Sequence, residues 1–484
     1  MLRPSTIRSV DQSLSLVGSL IMLKPIRSVS PVIVQCGLSV VVCCAFVSEA
    51  FSQGNNNNNQ NNAGGIKIDA QGVVSLAIAN EASGTLDKKR REAAAKKTLS
   101  ADITKASTQR LVSLVRLEQQ IDVCLKDGKP IPDEVFFLAG LQRIDNVFVF
   151  PDDKDLVIAG PAEGFAPDVV GRMIGIESGR PTLRLDDLAV ALRTLVKSQV
   201  VGCSIDPVPE RLANLQKFVK AGGPASVAAV EARFQQMDDI LGLQDVRVDG
   251  VPADSHFGLS LVEADYRMKR ISLGLENPGV KGLKSHLAMI GANGNTIQRW
   301  WFVPLYDGIY RTEDGLAFQF AGQRVQLMSQ EEMSDAQGNR SASATTRLTT
   351  QAFAKQFTDK YPELAEKSPV FAELQNLIDL AVFAALVQQE RLAEKAGWKM
   401  TTLLDEQRFG HPTFNAPKKI ASLVNYKRAG SNIVGLVGGG VTIRPQHVLN
   451  KATSPSPSGQ RLDSIRTEAA SAKRSDSHPW WWDR

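Results

Sequence analysis

Arg143-Ile-Asp-Asn-Val-Phe-Val-Phe150, Pro151-Asp-Asp-Lys-Asp155 and Leu156-Val-Ile-Ala-Gly160 follow one another in this chain. Two runs of β-branched and aromatic residues flank a Pro/Asp-rich break, which predicts strand, turn and strand. Gly160-Pro-Ala-Glu-Gly164 then makes a tight turn. Upstream, carboxylates at Asp133 and Glu134 precede an apolar run to Leu141, so a helix is predicted there. Downstream, Arg172 to Ile176 and Pro181 to Leu183 read as a short strand pair about Ser178-Gly179. Leu185 to Val196 reads as an amphipathic helix with Asp186 and Asp187 in its first turn.

The pattern continues outward in both directions. Ile66 to Ala79 alternates around Gln71-Gly72 like a β-hairpin, and Asp87 to Lys97 is a charged helix. Thr108 to Leu125 places Leu111, Leu114, Val115, Leu117, Ile121 and Leu125 near one helical face. Gly202 to Asp206 and Val246 to Val248 are predicted strands. Pro209 to Ala221, Ser226 to Leu241 and a segment from His256 to about Leu273 are predicted helices. Ile297 to Met328 carries four short apolar stretches between Gly308, Gly315 and Gly322, as a β-meander would. Thr350 to Tyr361 and Val370 to Lys395 are helical, the second apolar nearly all round, and Val434 to Ile443 is a Gly-rich strand. Helices and strands mix without regular βαβ alternation, so the expected class is α+β, with short antiparallel strands and two packed subdomains. The expected divisions are 66–130, 131–296 and 297–450. A disordered tail, 451–484, would follow, rich in Ser, Ala, Lys and Arg and ending in Trp480-Trp-Trp482.

Composition bounds the function. The 43% hydrophobic and 22% charged content is that of a globular core. A net charge of +5, without a basic stripe carrying aromatics, gives no reason to expect nucleic acid. After residue 50 no run of about 18 apolar residues appears, so no transmembrane helix is expected in the mature chain. Before it, Lys24 and Arg27 precede the apolar run Pro31 to Val47, and small residues stand at Ser48, Ala50 and Ser52. That order is a signal peptide over 1–52, with Met22 as a candidate start and cleavage after Ala50 or Ser52. The competing reading of the run is a retained anchor. Cys43 follows Val42, where a lipoprotein signal wants a small residue. An Asn-rich linker, 53–65, comes next and cannot bury apolar surface. Cys124 and Cys203 would remain after cleavage, either as a disulfide or as two buried thiols.

Chemistry is sparse. HExxH, GxSxG and GxxxxGK[ST] are all absent from the sequence. His256, His286, His411 and His447 show no metal-ligand spacing, so neither a metal nor a cofactor is expected. Asp254, Ser255 and His256 form the best polar constellation. They are either a helix cap or a general base oriented by Asp254. Glu163, Asp168, Asp186 and Asp187 are a second group, explained by turns and caps or by paired acid–base work. Gly438-Gly-Gly440 suits a flat strand better than a phosphate loop. In Trp300-Trp301 alternation turns one ring inward and one outward, and an exposed ring could stack on a sugar. Trp480, Trp481 and Trp482 are the expected contact for a partner, an envelope surface or a groove on the chain's own domain, and deleting 451–484 is expected to leave melting nearly unchanged.

Several stretches act together. They are Leu138-Ala-Gly-Leu-Gln-Arg143, Leu156-Val-Ile-Ala-Gly-Pro-Ala-Glu-Gly164, Gly179-Arg-Pro181 with Leu185-Asp-Asp-Leu188, and Cys203-Ser-Ile-Asp-Pro207. Gly250-Val-Pro-Ala-Asp-Ser-His-Phe257, Glu263-Ala-Asp-Tyr-Arg-Met-Lys-Arg270, Trp300-Trp-Phe-Val-Pro304 and Glu313-Asp-Gly-Leu316 complete the set. Over roughly residues 130–395 the chain resembles a secreted domain-of-unknown-function family of planctomycete bacteria. The resemblance implies export and supplies no activity, cofactor or catalytic residue. Two function classes follow. One is a non-catalytic binding or scaffold protein of the periplasm, cell envelope or exterior, with an envelope protein or polymer as partner. The other is a hydrolase of envelope or extracellular polymers.

Overall fold

A computed structural model describes residues 62–484, apart from 64–65, 70, 77–83, 195–197, 223–226, 291–295, 335–336, 338–339, 430 and 456–458. The expected signal peptide, and residues 53–61 of the Asn-rich linker, lie outside the described residues.

The strand–turn–strand of the opening motif forms as Asn146–Phe150 and Asp155–Ala162, paired antiparallel with Phe150 opposite Asp155. Every residue of Asn146–Phe150 is buried, which is why this run is apolar on both faces. The two strands sit inside a seven-stranded sheet. Its order is Thr453–Pro455, Gly308–Arg311, Ala317–Ala321, Asn146–Phe150, Asp155–Ala162, Ser107–Ser113 and Trp481–Asp483. A larger mixed sheet runs from the Asn62–Ala63, Ile66–Ile68 and Val73–Leu76 strands through Lys419–Ala421, Leu243–Asp249, Val201–Asp206, Ser431–Ile443 and Thr296–Leu305 to Arg324–Ser334 and Arg340–Ala342. The class is α+β, as expected.

Between the elements lies the Pro369–Gln389 helix, whose residues from Val370 to Val387 are all buried. It packs on the Leu185–Thr194, His256–Ser272, Tyr361–Lys367 and Pro445–Ala452 helices and on the Arg324–Ser334 strand. It is long and apolar enough to cross a bilayer, yet 94% of its most apolar window is buried inside the protein. Elements on several sides give it a protein environment, so its hydropathy reflects a core position. Arg391, with φ +54°, breaks it before Leu392–Lys395, where the periodicity had implied one continuous helix.

Three expectations need correction. First, Thr108 to Ser113 is strand, not helix. The segment is sandwiched between Asp155–Ala162 and Trp481–Asp483, and only at Ser113, whose Oγ accepts the Arg116 N–H at 3.1 Å, does the Leu114–Lys126 helix start. Second, residues 297–328 are not a meander. Thr296–Leu305 pairs with Arg324–Ser334 in the large sheet, while Gly308–Arg311 and Ala317–Ala321 form a hairpin that joins Asn146–Phe150 in the other. The return crossing passes Gly322, at φ +112°, where a Cβ would stand 2.5 Å from the Asp307 nitrogen. Third, residues 451–484 are no loose tail. Gly459–Ser471 is a helix that buries Leu462 and Ala469, and Trp480, Trp481 and Trp482 are each at most 3% exposed. Of the two alternatives for Cys124 and Cys203, the structure has the two buried thiols, on the Leu114–Lys126 helix and the Val201–Asp206 strand.

Strand pairs cross both expected divisions, 130/131 and 296/297. Ser107–Ser113 pairs with Asp155–Ala162, and Val201–Asp206 with Ser431–Ile443, and the described residues all fall within one compact unit.

Candidate functional site

Ser255 has extended backbone and caps the His256–Ser272 helix, its Oγ accepting the Gly258 N–H at 3.1 Å and donating to the Pro252 carbonyl at 2.6 Å. The cap turns His256 inward and Asp254 outward. Asp254 does not orient His256; its carboxylate is 3.5 Å from His411 Nε2, on the exposed side of the loop. The partner of His256 is Asp187, whose Oδ2 lies 2.8 Å from Nδ1. On the other ring nitrogen, Nε2 faces Glu373 Oε1 at 3.3 Å and Ser260 Oγ at 3.4 Å.

Around this imidazole the ions continue. Glu373 accepts the Arg172 Nε–H at 2.9 Å, and Arg172 Nη2 donates to Glu263 at 2.7 Å. Arg184 holds Asp186 with two hydrogen bonds of 2.8 and 3.0 Å. Burial and the Arg184 charge push the His256 pKa down, but Asp187 and Glu373 outweigh them and raise it to about 9. Burial raises the Glu373 carboxyl, and Arg172 and then His256 pull it to about 2. The group is therefore a closed set of ions that joins three helices and the Phe165–Pro167 and Met173–Gly175 hairpin. A general base needs an available lone pair near neutral pH. His256 carries a proton there, its two nitrogens are engaged, and its side chain is only 9% exposed.

The second carboxylate group also divides. Glu163 binds Gln142 at 2.7 Å and the Glu177 N–H at 3.0 Å, and Asp168 accepts the Val170 and Arg172 N–H groups at 2.9 Å. Asp186 and Asp187 belong to the His256 set. His286 packs edge-on against Trp300 at 4.8 Å, and burial with the nearby Arg347 lowers its pKa to about 4. Among the described residues no group of three or more His, Cys, Asp or Glu side chains could hold a metal.

An open cleft lies elsewhere, beside Trp301. Trp300 is fully buried and Trp301 is half-buried, as strand alternation requires. Arg299, Trp301, Val303 and Leu305 stand opposite Gln330, Met328, Gln326 and Arg324, and the first three lie beside Gly438, Gly440 and Thr442 across the other strand edge or near it. Gly439, at φ +146°, passes so close that a Cβ would fall 1.7 Å from the Trp300 carbonyl oxygen, so the Gly run is a strand against strand and not a phosphate cradle. The cleft holds about 590 Å³ and is lined also by Tyr306, Arg444, His447 and Val448. Tyr306 is fixed from behind: its hydroxyl donates to Asp379 Oδ1 at 2.6 Å, and Arg324 Nε donates to the same oxygen at 3.1 Å. The sequence named Trp301 and His447 singly. It gave no sign that Arg299, Tyr306, Gln326, Gln330 and Arg444 join them, because those positions converge only when the two strands and the Pro445–Ala452 helix meet.

Of the contacts expected for Trp480, Trp481 and Trp482, the structure shows the one on the chain's own domain: all three are buried against its sheet. Trp481–Asp483 pairs antiparallel with Ser107–Ser113. Arg110 lies 4.6 Å from the Trp481 ring centroid and binds Asp483 at 2.9 and 3.2 Å, while Trp482 Nε1–H donates to the Ala469 carbonyl at 3.2 Å. Three adjacent indoles need a hydrophobic bed, and this edge supplies it.

A family model described as a protein of unknown function (DUF1598) matches residues 203–286, the span from the Val201–Asp206 strand through the His256 helix to His286. No curated protein and no solved structure matches the chain.

Proposed function

We propose that this chain is an exported, non-catalytic binding protein of the cell envelope that holds its ligand in the Trp301 cleft. The observation that carries the reading is the cleft's chemistry: among the described residues its wall offers bases, amides and aromatic rings but no carboxylate or thiol. The titratable groups that could have run a hydrolysis, His256, Glu373 and Asp187, are consumed in a buried ion set. A volume of about 590 Å³ lies within the roughly 300–1,000 Å³ of small-ligand sites. The basic and apolar segments before residue 50, and the likeness to secreted proteins of planctomycete bacteria, support export.

Co-sedimentation of the purified chain with isolated cell envelopes tests this. Wild type is expected in the pellet, and a Trp301→Ala, Arg444→Gln double variant with unchanged melting is expected in the supernatant. Release of new reducing ends or amines from the envelope material would overturn the reading in favour of a hydrolase.

A further inference from the structure

Besides the Tyr306 phenol, the ionisable groups on the wall of the cleft are bases, Arg299, Arg444 and His447. Arg444 and His447 are exposed at the mouth, and no ion pair ties Arg444 to a carboxylate among the described residues. Deeper in, Arg299 lies 5.5 Å from the Trp301 ring centroid, and together with Lys269 it draws down the buried Asp265 carboxyl, which burial raises to about 6. Arg299 is thus partly committed to the protein, and Arg444 is the guanidinium left for a ligand. A guanidinium fork matches a carboxylate with two parallel hydrogen bonds.

Charge alone would suit many anions, and the rings narrow the choice. Trp301 is half-buried and presents part of its ring to the cleft, and Tyr306 is pinned by Asp379 and Arg324. An indole face is electron-rich, and the C–H face of a pyranose is weakly positive, so the two stack without a charge. Gln326 and Gln330, on the neighbouring strand, offer amides that both donate to and accept from hydroxyls. A nucleic acid would also use bases and rings, but it needs a basic track along its phosphates, and a net charge of +5 with acids interspersed does not supply one. We infer that the Trp301 cleft takes an acidic oligosaccharide, with Arg444 and His447 on a sugar carboxylate, Trp301 against the ring and the Gln pair on hydroxyls. This inference rests on the binding reading above.

Calorimetric titration of the full chain with tetragalacturonate, with its methyl ester and with tripolyphosphate tests it. The acid is expected to bind about tenfold more tightly than the ester, and Arg444→Gln to remove that difference. Trp301→Ala is expected to weaken both sugars, with melting unchanged in either variant. Equal affinity for acid and ester overturns the charge assignment. Tripolyphosphate binding as tight as the acid, and indifferent to Trp301→Ala, overturns the sugar. Absence of heat with all three probes also overturns the inference, whereas the binding reading is tested separately, by envelope pelleting of the double variant and by the assay for released reducing ends or amines.

Discussion

Asp254 and Ser255 are neighbours with different prospects on substitution. Ser255→Ala removes a cap that satisfies the Gly258 N–H and is expected to cost about 1 kcal/mol. Asp254→Ala removes an exposed carboxylate 3.5 Å from His411 and is expected to change stability by less than about 0.5 kcal/mol. Urea titration of the two single variants separates them; equal losses would contradict the cap. His256 makes a pH prediction. Its folded pKa of about 9 lies above the ordinary 6.5, so the stability it contributes is complete below about 6.5 and lost as pH rises through about 9. Compared with His256→Gln, the wild type is expected to lose on the order of 3 kcal/mol of its advantage across that window. A constant difference from pH 6 to 10 would mean that His256 is neutral in the folded state. Cutting Glu373 to Gln leaves Arg172 and His256 short of a counter-ion, and a loss of about 3–5 kcal/mol is expected in denaturant melts.

Elements were legible where one segment decides its own state. The strand–turn–strand at 143–160 and the helix begun by Ser255 follow from local turn and cap chemistry. The failures share a cause: a partner far away in sequence. Leu111 extends the helical face of Leu114, Leu117 and Ile121, yet it lies in a strand, because Trp481–Asp483 pairs with Ser107–Ser113. Leu462, Ile465, Ala469 and Ala472 are spaced for one helical face, a sign visible in the sequence and outweighed there by Ser, Lys and Arg. His256 was legible as a polar residue at a helix start, but Asp187 and Glu373, its partners, sit on two other helices and no spacing links them. Within the terminal strand, Trp482→Ala should empty a bed formed by Leu111, Phe148 and Leu462, at a cost of about 3–5 kcal/mol in denaturant melts. A loss under about 1 kcal/mol would show that the indole adds little there.

At the scale of the molecule, deletion of 451–484 now has the opposite expected outcome. The segment supplies Thr453–Pro455 at one edge of the seven-stranded sheet and Trp481–Asp483 at the other, so its removal uncovers both. The truncated chain is expected to aggregate or to lose cooperative thermal unfolding; an unaltered melting curve would show the sheet to be self-sufficient. Export makes its own prediction at this scale: mass spectrometry of the protein from envelope fractions should find a new N-terminus between Ala50 and Gln53, and a chain still starting at Met1 or Met22 would refute cleavage.

Both edges of that sheet being laid by one late segment has a bearing on time. Ribosomes release a chain from its N-terminus at roughly 5–20 residues per second. Arg110 and Asp483, which close the sheet together, are separated by 373 positions. The Ser107–Ser113 strand must therefore wait tens of seconds after emerging before its outer neighbour exists, with an apolar edge bare throughout. A sheet closed this late keeps an unpaired, aggregation-prone edge for that interval, so its refolding yield should fall as protein concentration rises.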